Sequence, residues 1–278
     1  MSNLLFYGNC QMTPLYNTLN LDKTKYNQTI IECFSTEMLE KEFHEYVVNA
    51  DIIIMTIIEN NYRDKHYLST TYVVYHAKKD CKIIILNNFH FSFYYFDVKM
   101  IHTLGETQPY HHSSLLDCYN NSKDINYYIN TYVNNEALKT THELKTLANT
   151  SFEELNKRYD IILLHKQMSP DKFIYSIPIS QYIKNNYRKK LLFYTPNHPS
   201  KYLFHYVSEQ ILSILKFENS IDYKVDTLSH TKCILYKCIQ KMVLFDISKK
   251  TPLLCKKKTI QDISQWYYKL YKKRKIEL

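Results

Sequence analysis

Two glycines, Gly8 and Gly105, are all that the 278 residues contain, where average usage would supply roughly 19. A phosphate loop or a dinucleotide fingerprint needs several glycines in one short window, where the backbone turns tightly against its ligand. Neither a Walker-type loop nor a G-x-G-x-x-G turn can be written with this chain. Tryptophan occurs once, and no window approaches 18 uninterrupted apolar residues, so no membrane-spanning helix is expected. The start, MSNLLFYGNCQM, lacks the basic opening and long apolar stretch of a secretory signal, and the expected setting is cytoplasmic. Seven cysteines (10, 33, 81, 118, 233, 238, 255) form an odd set without a C-x-x-C pair. That pattern predicts reduced, partly buried thiols instead of disulfides or a zinc site.

What is present is apolar and aromatic. Hydrophobic residues make up 45% and include 27 Tyr and 13 Phe, which argues for a folded chain with enough length for one large domain or two small ones. The net charge of +9 is concentrated: residues 237–278 carry twelve Lys and Arg against three Asp and Glu, and the remainder is balanced. Lys256-Lys257-Lys258 and Lys272-Lys273-Arg274-Lys275 flank Trp266-Tyr267-Tyr268, a mixture that suits nucleic acid, a membrane surface or an acidic partner. The favoured reading is a basic terminal helix whose aromatics pack on the main domain, because no recognition motif accompanies the charge.

The amino-terminal half alternates strands and helices. Leu4–Tyr7, Thr29–Phe34, Ala50–Met55 and Cys81–Leu86 read as strands, with helices over Met12–Leu19, Glu37–Val48 and Tyr62–Lys78. Such crossovers predict an α/β fold, a parallel sheet flanked by helices. The aromatic run Asn87–Val98 reads as a strand edge or a pocket-lining loop. A largely helical second half follows from Ser113 to Leu155, with Asp160–Leu164 open between strand and helix. Leu191–Tyr194 is expected as a strand and Tyr202–Leu215 as a helix. Beyond Asp222, Thr231–Tyr236 and Met242–Phe245 read as strands before an aromatic basic helix around Trp266.

Gly8-Asn9-Cys10-Gln11 sits at the carboxyl end of the first strand, where open α/β sheets place ligands. A thiol at a helix start is expected to have a lowered pKa and act as a nucleophile, with Asn9 and Gln11 binding substrate or shaping the turn. A small cysteine filling the crossing, with Asn9 as a cap, fits the same pattern. Asn197-His198-Pro199 holds His198 in a defined loop as a base or as a buried structural imidazole. Asn87 and Asn88 end a strand at the same predicted edge, as an oxyanion donor or ordinary caps. Tyr110-His111-His112 offers a binding wall or a second base, and no accompanying ligand pattern suggests a metal. Tyr62-Arg63 and Tyr187-Arg188 suit phosphate, carboxylate or solvent equally.

In order along residues 4–215, Gly8–Gln11, the Asp51–Tyr62 strand and loop, Asn88, Pro109-Tyr110-His111, Ile179–Ile183, Asn186-Tyr187-Arg188 and Leu192–Pro199 together resemble the WcbI-type family of capsular polysaccharide biosynthesis acetyltransferases. The resemblance implies a domain over residues 1–220 somewhat similar to SGNH-type hydrolases, with residues 221–278 as a basic extension packed on or appended to it. It also implies a coenzyme A site and transfer of acetyl from acetyl-CoA to a sugar, nucleotide-sugar or glycan hydroxyl. Carried onto this chain, the catalytic candidates are Cys10, His198 and Asn88. The expected cofactor contacts are Gly8, Asn9, Gln11, Tyr62, Tyr110, His111, Arg188 and Asn197. Cys10 accepting the acetyl group and direct attack by the sugar hydroxyl both remain open. Departures from the family pattern include Thr56 where glutamine is usual, and Asn87 and Phe96 where prolines are common. Two other classes compete: a carbohydrate esterase using Cys10 or Ser113 with His198, and a noncatalytic nucleic-acid-binding protein using the tail.

Overall fold

The computed structural model describes residues 1–34, 37–101, 110–218, 220–245 and 259–274. Gly105, Pro109, Cys255, Lys256–Lys258 and Lys275, singled out above, lie outside them. The chain divides into two interleaved compact units. One comprises Met1–Phe89, Glu153–Ile183 and Lys201–Thr227; the other comprises His90–Phe152, Lys184–Ser200 and Leu228–Leu278.

The first unit is an α/β layer structure. β1 (Ser2–Gly8), α1 (Met12–Leu19), β2 (Tyr26–Glu32), α2 (Glu40–Asn49), β3 (Ile52–Thr56), α3 (Thr70–His76) and β4 (Lys82–Leu86) follow one another in sequence. A further strand, Phe173–Ser176, completes a parallel sheet in which β2, β1, β3, β4 and that strand are consecutive neighbours. β3 and β4 are near-continuous isoleucine runs because both faces of the sheet are covered. Leu5, Tyr7, Ile53, Met55, Ile83, Ile85 and Ile174 pack on one face with Phe43 and Val47 of α2 and Val73 of α3. The alternate residues point the other way, where Phe6 meets Tyr16 of α1 edge-on at 5.2 Å.

The register decides where chemistry can sit. Gly8 pairs with Glu32, Tyr7 with Met55, and Thr56 with Leu86, so these strands end in one row. The chain leaves β1 for β2 on one side and returns to β3 on the other, which makes the β1/β3 boundary the topological switch point of the sheet.

In the second unit Val98–Met100 pairs antiparallel with Tyr110–His112, and Phe193–Thr195 with His198–Pro199. Helices Ser113–Asn120 and Ile260–Arg274 pack together. The aromatic run is largely core. Phe91, Phe93, Tyr94 and Tyr95 are buried with Phe193 as the core of this unit, where each ring removes a large apolar area from water and pairs edge-on or offset with its neighbours.

Several expectations change. Tyr62–Lys78 is not one helix: Arg63 and Asp64 have φ of 53° and 58°, which breaks it into short turns before α3, whose Ser69 caps the Tyr72 amide. Thr231–Tyr236 and Met242–Phe245 form no strands, since the first run is buried by packing without a ladder and leads into the short helix Lys237–Gln240. Asp160–Leu164 belongs to the helix Thr141–Met168, with Ile162 buried and Leu164 exposed. The strand Phe173–Ser176 had no expectation at all, being short and half polar. Among the described residues no helix is long and apolar enough to cross a membrane, and no group of His, Cys, Asp and Glu could hold a metal.

Candidate functional site

The turn after β1 exists because its glycine has no side chain. Gly8 has φ +154°, and a Cβ there would lie 2.2 Å from Thr56 Oγ1. Removing the Cβ lets β3 come close enough for the Asn9 amide to donate to Thr56 Oγ1 at 3.2 Å. The side chains of the turn then point along the sheet edge. Asn9 Nδ2 donates to Asn88 Oδ1 at 2.9 Å, its Oδ1 accepts from the Gln11 amide at 3.0 Å, and Asn88 Nδ2 donates to Ile57 O at 3.0 Å. Gln11 is buried and closes on the backbone of Phe89, donating to its carbonyl at 2.8 Å and accepting from its amide at 3.0 Å. The amides of Asn9, Gln11 and Asn88 therefore bind the strand ends to one another.

Cys10, like Asn9 and Asn88, is partly exposed at this corner. Burial first, and the Glu32 carboxylate second, push its thiol up to about 11 against the opposing pull of its own backbone N–H. The expectation of a lowered thiol pKa fails. Desolvation outweighs the amide at the start of a helix only eight residues long. Cys33, following β2, is also pushed up to about 11 by burial, despite a hydrogen bond from Tyr62 and the nearby Arg63. Tyr62 is thus placed beside Cys33, at the same end of the sheet. Arg158, which the sequence did not single out, donates to the Asn88 carbonyl at 3.3 Å. It is partly buried and makes no salt bridge among the described residues, and burial lowers its pKa. A helix one turn of which faces this edge was not readable from apolar spacing alone. A cavity of about 250 Å³ lined by Asn3, Asn27, Glu45 and Asn49 lies at the opposite, amino-terminal end of β1 and contains none of these residues.

The second unit gathers a different set. Tyr110 Oη lies 2.6 Å from Asn197 Oδ1 and 3.0 Å from His198 Nε2. Thr195 Oγ1 accepts from the amides of Asn197 and His198 and lies 3.1 Å from Asn197 Oδ1. Burial, then the neighbouring His230, pull His198 down to about 4, so the imidazole is neutral near pH 7. His111 is fully buried against Tyr267 and Tyr271 of the carboxyl-terminal helix, with Nδ1 3.4 Å from the Tyr271 hydroxyl. Arg188 is exposed and donates to Met242 O at 2.7 Å. Neither joins the Tyr110, Asn197 and His198 group. Ser113 begins its helix with its amide on Asp97 O. Asp97 itself is raised by burial but held below the usual carboxylate range by the neighbouring His112 imidazole, 3.6 Å away, and by hydrogen bonds from Tyr236 and Ser114.

The family of the polysaccharide biosynthesis enzyme WcbI matches residues 3–220, more than three quarters of the chain. The chain belongs to the WcbI family. Among solved structures, it is similar to WcbI, a polysaccharide biosynthesis enzyme, in a native form described as without a disulfide bond between coenzyme A and a cysteine of that protein. The TM-score is 0.76 at 18% identity, over 98% of this chain and 89% of that one. At that identity the likeness speaks for the fold. No curated protein matches the sequence. Membership makes this chain a polysaccharide biosynthesis enzyme of WcbI type, with the Gly8–Gln11 turn and the Asn197-His198 loop both inside the matched region.

Proposed function

We propose that this WcbI-family chain is an acetyl-CoA-dependent O-acetyltransferase acting on a sugar hydroxyl of a nucleotide sugar or growing glycan. The observation that carries the reading is the position of Cys10, partly exposed at the switch point of an open parallel sheet, where such folds bind ligands. The residues there suit coenzyme A. The guanidinium of Arg158, which donates to the Asn88 carbonyl and makes no salt bridge among the described residues, suits an anionic group. Residues 1–220 carry the activity in this reading, and the basic extension is a packing element.

Acetyl-CoA supplies an acyl group activated as a thioester. The sugar oxygen bonds to the acyl carbon as the carbon–sulfur bond breaks, and the hydroxyl proton passes to His198 and then to the leaving sulfur. Neutral His198 can accept that proton throughout the physiological range. A thiol pushed up to about 11 favours direct transfer over an acetylated Cys10. Asn88 and Asn9 hold that corner in shape, since their amides are engaged with the strand ends.

The test is calorimetric titration of the reduced full chain with coenzyme A and acetyl-CoA, followed by a screen of sugar acceptors by mass spectrometry. Saturable binding and a product heavier by one acetyl group are expected. Absence of binding by a folded chain overturns the reading, and hydrolysis of acetyl-sugars without coenzyme A replaces it with the esterase. His198→Ala should lower kcat by about 10²- to 10⁴-fold. Cys10→Ala should lower it less, and an acetylated Cys10 trapped in turnover would replace direct transfer by the covalent scheme.

A further inference from the structure

A chain of hydrogen bonds in the second unit determines which nitrogen of His198 is free. The hydroxyl oxygen of Thr195 accepts from two backbone amides, Asn197 at 3.4 Å and His198 at 3.0 Å, which uses both of its lone pairs. Its own hydrogen must therefore go outward, and the Asn197 atom 3.1 Å away has to be an acceptor. An amide NH₂ in that place would face a hydroxyl with no lone pair left. The side-chain orientation of Asn197, which a nitrogen/oxygen swap would otherwise leave open, follows with Oδ1 toward Thr195.

The same Oδ1 lies 2.6 Å from Tyr110 Oη. A carbonyl oxygen only accepts, so Tyr110 donates its single hydrogen there. His198 Nε2, 3.0 Å from that phenol oxygen, then meets a lone pair and carries the proton. In a neutral imidazole one nitrogen is protonated and the other is bare. Nδ1 of His198 is buried and has no hydrogen-bond partner among the described residues, as expected of a lone pair held for something else.

We infer that Thr195, through Asn197 and Tyr110, locks His198 in its Nε2–H tautomer, so that Nδ1 is the atom that takes the proton of the acceptor hydroxyl. Thr195 is a positioning residue in this scheme, acting on His198 without touching substrate. The tautomer assignment stands on geometry alone, whereas the role of Nδ1 rests on the transferase reading. Once Nδ1 is protonated, the Nε2–H continues to face Tyr110 Oη, whose dipole is already turned by Asn197 to receive positive charge. Little reorganisation is then required as the imidazolium forms.

The experiment is a long-range ¹H–¹⁵N correlation spectrum of the ¹⁵N-histidine-labelled full chain near pH 7. The expected pattern for His198 is a protonated Nε2 and an unprotonated Nδ1; the reverse pattern overturns the inference. Tyr110→Phe removes the acceptor for Nε2–H and should draw the two nitrogen signals toward each other as both tautomers populate, and an unchanged spectrum also overturns it. Thr195→Val should shift the spectrum in the same sense and lower kcat by about 10-fold with KM held, and Thr195→Ser should restore both. Where Thr195→Val does not fold, Tyr110→Phe and Thr195→Ser carry the test. The expected tautomer in a chain that transfers no acetyl group overturns the transferase reading and upholds the assignment. Acetyl transfer by a chain whose His198 carries its proton on Nδ1 does the opposite.

Discussion

Gln11 holds the backbone of Phe89 from both sides, its amide donating to the carbonyl at 2.8 Å and its carbonyl accepting from the amide at 3.0 Å. The pair ties the turn after β1 to the exit of β4, across the intervening β3. Gln11 is a clamp that shapes the corner where Cys10 sits. Gln11→Ala should cost about 2–3 kcal/mol in urea unfolding, because two buried backbone groups lose their partners. Gln11→Glu should be at least as damaging, since a carboxylate cannot donate to the Phe89 carbonyl. Equal stability of all three chains would remove the clamp from the account.

Gly8 admits β3 at close range. A Cβ on Gly8 would sit 2.2 Å from Thr56 Oγ1. Gly8→Ala should destabilise by about 1–3 kcal/mol through overpacking alone, with a further contribution from the positive φ. Adding Thr56→Ala removes the atom it strikes and should recover part of the loss, leaving the backbone strain. Thermal unfolding of the two variants separates the contributions.

The Cys10 thiol should be slow to alkylate near neutrality. With its pKa pushed up to about 11, the thiolate is a minor species at pH 7, so the iodoacetamide rate followed by mass spectrometry should climb toward pH 11. Glu32→Gln removes the second cause and should bring the inflection down modestly, because burial is the larger one. A plateau below pH 8 would show an activated thiol and reinstate the covalent scheme.

The acid limb of kcat/KM should lie near pH 4. Burial and His230 lower His198 to about 4 in the folded chain, against about 6.5 in an unfolded one. The unfolded chain binds the extra proton between these values, so this group contributes stability above the unfolded pKa and loses it as pH falls through the folded one. A rate profile with its acid limb near 6.5 would separate His198 from the rate-governing proton transfer.

The basic tail packs through its aromatic face. Tyr267 and Tyr271 are buried, and the Tyr267 hydroxyl donates to the Tyr110 carbonyl. Tyr271→Ala should cost on the order of 3 kcal/mol, in the range of large aromatic truncations in a core. Charge reversal at Lys272 and Lys273 should leave stability within about 0.5 kcal/mol. Binding of single-stranded RNA that falls steeply with salt and survives in the tail alone would favour a nucleic-acid role.

The parallel sheet was legible because Ile52–Met55 and Ile83–Leu86 are runs apolar on every residue, which only a strand covered on both faces requires. The turn at Gly8 was legible for a related reason: with two glycines in the chain, one placed at the end of a strand marks a close backbone approach. The strand Phe173–Ser176 was not, since four residues with two polar ones carry no period and gain their order from β4. By itself, then, the sequence determined the layered α/β fold, the corner at Gly8–Gln11 and the family, all of which rest on local pattern and motif order. Only the tertiary structure decided that Cys10 is a protonated thiol, that Gln11 is a clamp and that His111 is core. Desolvation and hydrogen-bond partnership belong to neighbours distant in the chain, and a residue's own position in the sequence does not contain them.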